Sequence, residues 1–453
     1  MSTSNKKTAV VVIHGIGNQY PMETTREFVE SLKDDTDILY SSPDREANFY
    51  ETRRLSLGKK KTDFYEFYWA NLISEPSFSD LFNWIRKLMF FKAPSQRAKL
   101  LLQILRIVII LVVFLLIYAI HTDLTTSLTE KLIPASYAGI TTVVIFLLVK
   151  VVMPMLNSKA SQTIGDAVKY LNPSPKNIES RFKIREKGIS LLKKLHDKKD
   201  ENGDPLYGCI VIVGHSLGSI VGYDVINYLW HDYLAEYAPN QLPIVQPILK
   251  KITKIIVQQH REQEKGNKEY QFPLEEYQQL QAQLFEELKS LGNPWLISDF
   301  VTIGSPLCHG DYIMSKDYDE FDRRTNYREI SLNPPKIEVK LSEGKIVKDY
   351  TKAIAYPATI PVTVNQNRTK ENIKLINHSS HFAFIKWNNL YFTNDLVGGN
   401  LGYYFGNGIK NTELKPVGKW YRKYLPFFSH TNYWDKEQTA SVDWIKKIVF
   451  PDE

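Results

Sequence analysis

The chain has 453 residues, of which 43% are hydrophobic and 24% charged, and its formal net charge is +7. This length allows one large domain with insertions or two domains. The apolar and aromatic content excludes a chain that is disordered throughout. The small positive excess comes without a zinc-finger spacing, an RNP-like run or a basic helix with interleaved aromatic residues, so nucleic acid is not an expected partner.

The two cysteines, Cys209 and Cys308, are too few for a secreted domain stapled by disulfides. Cys209 lies in the apolar run YGCIVIVGHS, where a buried, reduced thiol is expected. The first apolar run is short, rich in valine and leads into a glycine turn. It therefore predicts a buried strand over 7–13 rather than a signal peptide. These features favour a reducing compartment and a chain that begins in the cytoplasm.

Two long apolar stretches, 100–120 and 134–153, follow a second predicted strand at 63–70. At about 1.5 Å per residue the first would span roughly 31 Å, the thickness of a bilayer core. Basic residues flank the outer ends and acidic residues lie in the loop between, so the positive-inside rule puts both ends in the cytoplasm. We expect a membrane-inserted hairpin within 76–158, with the rest of the chain on the cytoplasmic side. Two buried helices of a soluble cap, or a re-entrant hairpin, stay open as alternatives.

Apolar runs at 7–13, 208–213 and 300–303 have the composition of strands that are buried on both faces of a parallel sheet. They predict one α/β domain with a mostly parallel central sheet and helices on both faces. Its first part is 1–75 and its remainder is 159–453.

Two segments of that remainder differ in composition from the predicted core. The segment 241–291 is rich in glutamine, lysine and glutamate at helical spacing, which predicts a helical surface insertion. The segment 329–367 is rich in proline, threonine and valine, which predicts a β-rich excursion.

The run CIVIVGHSLGSIVGYD carries the strongest chemical signal. A buried strand leads into Gly214, His215, Ser216, Leu217 and Gly218, and helical spacing follows, which is the setting of a G-x-S-x-G nucleophile elbow. Side chains at the two glycine positions would collide with neighbouring backbone. The sequence therefore predicts the serine as a nucleophile, and a structural turn without catalysis is the alternative.

The run HGIGNQ follows the first predicted strand. In hydrolases with such an elbow, an HG-rich loop at this place supplies one backbone N–H of the oxyanion hole, and the residue after the nucleophile, here Leu217, supplies the other. We favour the amide of Ile16, with His14, Gly15 and Gly17 shaping the loop. A phosphate-binding turn is the alternative, but neither G-x-G-x-x-G nor G-x-x-x-x-G-K-[ST] is satisfied.

A nucleophilic serine needs a base, and the base needs an orienting acid. The predicted base is His430, which follows a loop and precedes the last predicted helix. The predicted acid is Asp395, which lies between an apolar strand-like run and a glycine turn. His378 and His381 are rival bases, and Asp311 is the fallback acid. No H-E-x-x-H motif and no paired cysteine spacing is present, so neither a metal nor a cofactor is expected.

The motifs HGIGNQ, YEFYWA, GHSLGS, TIGSPL, FIKWNNLYFTNDLVGG and SHTNYW together resemble the α/β-hydrolase superfamily. The chain is most similar to intracellular lipase- and esterase-like branches with an HGIG oxyanion loop. The resemblance runs from residue 7 to the C-terminus, interrupted by the apolar hairpin and the helical insertion. It implies an α/β-hydrolase fold and a Ser–Asp–His mechanism on esters, thioesters or, less often, amides.

The expected function is a membrane-associated serine hydrolase that cleaves carboxylic esters through an acyl-enzyme. A lipid ester is the leading substrate class, because the predicted hairpin would hold the site near acyl chains. An esterase or thioesterase acting on soluble or protein-linked acyl groups stays open, as does a non-catalytic, membrane-tethered scaffold with a vestigial triad. The sequence identifies no protein partner.

Overall fold

The computed structural model describes residues 6–16, 19–47, 50–73, 99–100, 103–104, 106–107, 110–111, 114, 169–172, 174–342, 345–350, 352–364, 367–420 and 429–450. Contacts divide the chain into two compact units. The first unit comprises Met1–Gly15, Gln19–Trp69 and Phe182–Glu453, and the second comprises Ile16–Asn18 and Ala70–Arg181.

The described strands are, in chain order, β1 (Lys7–Ile13), β2 (Leu39–Pro43), β3 (Arg53–Leu57), β4 (Thr62–Phe67), β5 (Tyr207–His215), β6 (Ile297–Ile303), β7 (Val339–Ser342), β8 (Lys345–Lys348), β9 (Ala355–Val364), β10 (Asn367–Ile376), β11 (Lys386–Phe392) and β12 (Lys410–Leu414). The described α-helices are α1 (Glu23–Leu32), α2 (Ile178–Asp197), α3 (Gly218–Tyr233), α4 (Pro247–Glu264), α5 (Leu274–Ser290), α6 (Gly310–Met314), α7 (Tyr318–Asn326), α8 (Gly402–Phe405) and α9 (Thr439–Val449).

Eight strands form one central sheet in the order β12-β11-β6-β5-β1-β4-β3-β2. Every neighbouring pair from β12 to β4 is parallel. Only β3 and β2, at one edge, run antiparallel to their neighbours. The prediction of an α/β fold with a mostly parallel central sheet is therefore confirmed.

The central strands are buried on both faces because helices cover both sides of the sheet. On one face, alternate side chains such as Val10, Val12, Val211 and Val213 form a single apolar cluster with residues of α1 and α9. The side chains between them, such as Ile212, point to the opposite face. Burying a valine or isoleucine in this way contributes about 1.5–3 kcal/mol to the free energy of unfolding, so the doubly covered strands are the stable centre of the fold.

Helix α3 lies on that opposite face, directly after β5. A Cβ atom at Gly222 would lie 3.1 Å from the Phe300 ring and 3.3 Å from Ile13. Helix α2 packs on α3 through another small residue, since a Cβ at Gly188 would lie 2.8 Å from Val225. Close packing of α3 against the sheet holds the turn between β5 and α3 in place.

The region 241–291 contains the two helices α4 and α5, which pack against each other. They bury apolar stripes at helical spacing that include Leu249, Ile252 and Ile256 on α4 and Leu284 and Leu288 on α5. The region 329–367 contains β7, β8, β9 and the start of β10. These strands pair as the two antiparallel hairpins β7–β8 and β9–β10.

In the second unit, Tyr170 is buried, and Arg181 donates from its guanidinium to the Tyr170 carbonyl and lies 5.3 Å from the centroid of its ring. Its described residues between 99 and 114 are helical.

No helix in the described ranges is long and apolar enough to cross a bilayer. This corrects the prediction of transmembrane helices at 100–120 and 134–153. A run of apolar residues alone does not specify an uninterrupted helix of spanning length. The second stretch and most of the first lie outside the described residues, as does most of the predicted insertion 76–158.

Candidate active site

The predicted site residues of the first unit lie at the carboxyl edge of the parallel strands. His14 follows β1, Ser216 follows β5, and Asp395 lies in a turn after β11, where its N–H donates to the Phe392 carbonyl at 3.0 Å. Since β1, β5, β6 and β11 are parallel and adjacent or nearly so, their carboxyl ends meet. His430 reaches this edge from the segment between β12 and α9.

Ser216 occupies a strained turn between β5 and α3. Its φ is +51°, a left-handed conformation that costs a residue with a side chain about 1–3 kcal/mol. Its N–H donates to the Ile303 carbonyl of β6 at 2.9 Å. A Cβ at Gly214 would lie 2.6 Å from the Ser219 Cα, and one at Gly218 would lie 2.2 Å from the Ile13 carbonyl oxygen. Glycine is therefore required on both sides of the serine.

A buried pair of hydroxyls ties the same turn to the end of β6. Ser219 donates its hydroxyl to the Ser216 carbonyl at 2.6 Å, so its own oxygen accepts from the Ser305 hydroxyl, also at 2.6 Å. The Ser305 oxygen in turn accepts from the Leu307 N–H at 3.2 Å. These groups are buried, so breaking either hydroxyl hydrogen bond would leave polar atoms without partners. The cost of doing so stabilises the strained turn.

Ser216, His430 and Asp395 form one hydrogen-bonded chain. His430 Nδ1 lies 2.8 Å from Asp395 Oδ2, and His430 Nε2 lies 2.9 Å from Ser216 Oγ. A carboxylate only accepts, so Nδ1 carries the imidazole proton and Nε2 is left to accept the serine hydroxyl. In this tautomer the imidazole is oriented to take a proton from Ser216.

Asp395 is buried and is held by three further groups. The Val397 N–H donates to its Oδ1 at 2.8 Å, and the Tyr433 hydroxyl donates to its Oδ2 at 2.6 Å. Burial alone would raise the pKa of this carboxyl, but His430, Tyr433 and the Gly398 amide together outweigh burial and hold the pKa below its ordinary value. Asp395 is therefore ionised and can stabilise an imidazolium beside it.

His215 supports the predicted base from the other side. Its ring stacks on that of His430, with centroids 5.2 Å apart, and its edge meets Trp434 at 4.8 Å. Its Nε2–H donates to the His430 carbonyl at 3.0 Å. Burial, with a smaller effect of His430, lowers the pKa of His215 to about 3, so the ring is neutral and adds no charge beside the base.

His14 and Gly15 begin the predicted oxyanion loop. The Trp69 N–H donates to His14 Nε2 at 3.2 Å, so Nδ1 carries the proton and donates to the Gly15 carbonyl at 2.7 Å. Burial lowers the pKa of His14 to about 4, which keeps the ring neutral. A Cβ at Gly15 would lie 2.9 Å from the Ser216 Cβ, so glycine lets this backbone approach the serine.

The two predicted oxyanion amides differ in what the structure describes. Leu217 is the N-cap residue of α3, and within the described ranges its backbone N–H has no hydrogen-bond acceptor, as an oxyanion donor requires. Ile16 belongs to the second unit, and Gly17 lies outside the described residues. The assignment of the Ile16 amide therefore stays a prediction.

The rival residues have other surroundings. The ring of His378 lies 5.7 Å from that of His231, and His381 is buried against Phe382 at 4.5 Å. Asp311 is buried in α6. The histidine that is hydrogen-bonded to Ser216 is His430, and the carboxylate that is hydrogen-bonded to this histidine is Asp395.

Three residues beside the predicted acid were not identified from the sequence. A Cβ at Gly304, whose φ is +57°, would lie 3.1 Å from Asp395 Oδ2, and one at Gly398 would lie 2.8 Å from the same atom. Tyr433 donates to it. The available signals were the glycines of TIGSPL and NDLVGG and the tyrosine three residues after the predicted base in SHTNYW.

A cleft of about 340 Å³, lined among others by Gln259, Tyr318 and Lys336, contains none of the three hydrogen-bonded residues Ser216, His430 and Asp395.

In the described part of the chain, no group of three or more histidines, cysteines or carboxylates could hold a metal ion. The hydrogen-bonded chain at the edge of the sheet can transfer a proton from a serine to an imidazole that a carboxylate holds. A comparison of the chain with protein-family models, curated proteins and solved structures found no match.

Proposed function

We propose that the protein is a serine hydrolase with an α/β-hydrolase fold that cleaves carboxylic ester bonds. Ser216 is the nucleophile, His430 the general base and Asp395 the acid that orients it. The observation that carries the proposal is the continuous chain from Asp395 Oδ2 through both nitrogens of His430 to Ser216 Oγ, at 2.8 Å and 2.9 Å.

The topology supports this fold assignment. The serine follows a central strand, β5, in a strand–turn–helix unit. The acid follows β11 and the base follows β12, so the chain order is serine, aspartate, histidine, as in α/β-hydrolases. The glycine-rich loop after β1, a direct neighbour of β5, is where such a fold supplies an oxyanion donor.

The proposed reaction begins when Ser216 Oγ attacks the ester carbonyl and transfers its proton to His430 Nε2. Asp395 holds the neutral imidazole in the tautomer that accepts this proton and stabilises the imidazolium that forms. The Leu217 amide donates to the oxyanion of the tetrahedral intermediate. His430 then protonates the departing alcohol, and the acyl group remains on the serine. In the second half, His430 takes a proton from the water that attacks the acyl-enzyme. It then gives this proton to Ser216 Oγ as the ester bond to the serine breaks, which releases the acid and restores the enzyme.

The strain at Ser216 supports a chemical role over that of a structural turn. A left-handed serine costs free energy that a glycine would not, and here two glycines, a backbone hydrogen bond and two buried hydroxyls maintain it. The conformation directs the hydroxyl to an imidazole. A turn that served the fold alone would need neither a left-handed serine nor an imidazole beside its hydroxyl.

The acyl group of the ester is the open part of the proposal. The expectation of a lipid ester was drawn from predicted transmembrane helices, and no described helix supports it. A series of p-nitrophenyl esters from acetate to palmitate separates the two substrate classes. A preference for long chains favours a lipase-like enzyme, and a preference for short chains favours an esterase.

The experiment compares wild type with Ser216→Ala and with Ser380→Ala in that series. Ser380 is a matched control because it is also buried but donates its hydroxyl to Asn377 Oδ1, at 2.6 Å. We expect Ser216→Ala to lower kcat by about 10⁴-fold or more and Ser380→Ala to leave it within a few-fold. Absence of hydrolysis by folded wild type, across esters and thioesters, would reject the proposal in favour of a vestigial site.

A further inference from the structure

Tyr433 lies next to the predicted acid and is fully buried. Its ring stacks on that of Phe392 at the end of β11, with centroids 4.2 Å apart and planes 5° from parallel. Its position is therefore fixed by packing, independently of any hydrogen bond. Because Phe392 also begins the turn that carries Asp395, the tyrosine is attached to the segment whose carboxylate it contacts.

The Tyr433 hydroxyl makes two hydrogen bonds of opposite sense. Its oxygen accepts from the Phe392 N–H at 3.0 Å, and its O–H donates to Asp395 Oδ2 at 2.6 Å. The direction of the second is fixed, since an ionised carboxylate only accepts. Oδ2 is also the atom that accepts from His430 Nδ1 at 2.8 Å. One carboxylate oxygen is thus shared between the imidazole and the phenol.

We infer that Tyr433 is a positioning residue of the reaction, which holds Asp395 Oδ2 on the line to His430 and takes part of its negative charge. The inference rests on the proposed function of Ser216, His430 and Asp395. With Val397 fixing the other oxygen, both oxygens of the carboxylate are held, and it cannot rotate away from the imidazole.

The titratable groups around the hydrogen bonds of Tyr433, Asp395 and His430 come from four elements. They are Tyr433 and His430 from the segment before α9, Asp395 from the turn after β11, His215 from β5 and Cys308 from the turn after β6. Burial, and then the neighbouring carboxylate, raise the pKa of Tyr433 well above its ordinary value, so its hydroxyl keeps its proton at all working pH values. Since His215 is neutral as well, the base and acid are the groups whose charge Tyr433 affects.

Removing the phenol hydroxyl has two consequences. Oδ2 then presents more negative charge to His430, which stabilises the imidazolium of the free enzyme and moves the acid limb of the pH profile of kcat/KM to higher pH. Oδ2 also loses one of the hydrogen bonds that hold it, so the carboxylate is less firmly positioned against the imidazole and the plateau of the profile falls. A tyrosine that only filled space would change neither the limb nor the plateau.

The test is Tyr433→Phe, measured as kcat/KM against pH with the best p-nitrophenyl ester. Phenylalanine retains the ring that stacks on Phe392, so the variant is expected to fold. The matched control is Tyr223→Phe, which removes the same atom from another buried tyrosine whose hydroxyl donates to the Ser331 carbonyl at 2.9 Å. We expect Tyr433→Phe to lower the plateau about tenfold and to raise the acid limb by about half a pH unit. Tyr223→Phe should match wild type in both.

The outcomes separate the inference from the proposed function. An active wild type, with Tyr433→Phe equal to Tyr223→Phe in plateau and acid limb, overturns the inference alone. A Tyr433→Phe variant with a lowered plateau but an unmoved acid limb also overturns it, because charge sharing is part of the claim. A wild type without activity overturns the proposed function and the inference together.

Discussion

Replacing Gly304 by alanine should damage the candidate site directly, because this glycine lies against the acid Asp395, the base His430 and the supporting Tyr433. Its φ is +57°, and an added Cβ would lie 2.8 Å from the Tyr433 ring, 3.1 Å from Asp395 Oδ2 and 3.1 Å from His430 Cε1. A carbon–carbon contact needs about 3.5 Å, so the ring or the backbone must move by about 0.7 Å. The ring is buried and stacked, and we therefore expect the acid and base to shift.

The size of the effect follows from that displacement. A misplacement near 1 Å costs about 10²-fold in rate, so kcat should fall roughly 30- to 100-fold. Left-handed strain of about 1–2 kcal/mol and overpacking of about 1–3 kcal/mol should together lower the free energy of unfolding by about 2–5 kcal/mol.

The matched control is Gly266→Ala. Gly266 has a similar φ of +65°, but an added Cβ would meet nothing within 4 Å. It should lose about 1–2 kcal/mol through strain alone and keep the wild-type kcat. Ester hydrolysis and chemical denaturation of the three proteins measure both quantities. A Gly304→Ala variant with the stability of Gly266→Ala and an unchanged kcat would refute the reasoning.

Three other predictions follow from the buried groups. Asp395→Asn should lower kcat by about 10⁴-fold by allowing the wrong tautomer of the base, whereas Asp311→Asn should leave it within a few-fold; the reverse result in ester hydrolysis would make Asp311 the acid. Burial raises the pKa of Glu66 to about 7. Between the ordinary pKa of 4.5 and pH 7, the folded chain keeps a proton on Glu66 that the unfolded chain releases. The free energy of unfolding therefore falls as the pH rises through this range. Glu66→Gln should remove this loss, on the order of 2–3 kcal/mol, so denaturation at pH 8 should find the variant more stable than wild type and at pH 4 should not. His215→Phe retains the stacked ring but loses the donor to the base, and kcat should fall several-fold; an unchanged value in the same assay would remove His215 from the support of the base.

The parts of the molecule that the sequence predicts well are those specified by neighbours along the chain. Strand β1 is apolar and buried at every position from Ala9 to Ile13. The elbow combines a strand, two sterically required glycines and a helix within one segment. Chain order then suggested which distant aspartate and histidine to choose. In the structure, His430 lies within hydrogen-bond distance of Ser216, and Asp395 lies within hydrogen-bond distance of His430.

The parts that the sequence does not predict depend on contacts between distant segments. Gly304 and Gly398 look like ordinary turn glycines, and only the fold brings both within reach of one carboxylate oxygen. Tyr433 is likewise one buried tyrosine among several until β11 is placed beside it. The prediction of transmembrane helices used apolar composition alone and was wrong, since no helix in the described part of the chain is long and apolar enough to cross a bilayer.

Mapping the adduct of a fluorophosphonate probe on the full-length protein tests the central claim most directly. The account predicts one adduct per chain, on the peptide that contains Ser216, in folded wild type, and a rate of labelling that falls sharply in His430→Ala. An adduct on a different residue, or a folded wild type that the probe does not modify, would contradict the assignment of Ser216 as an activated nucleophile.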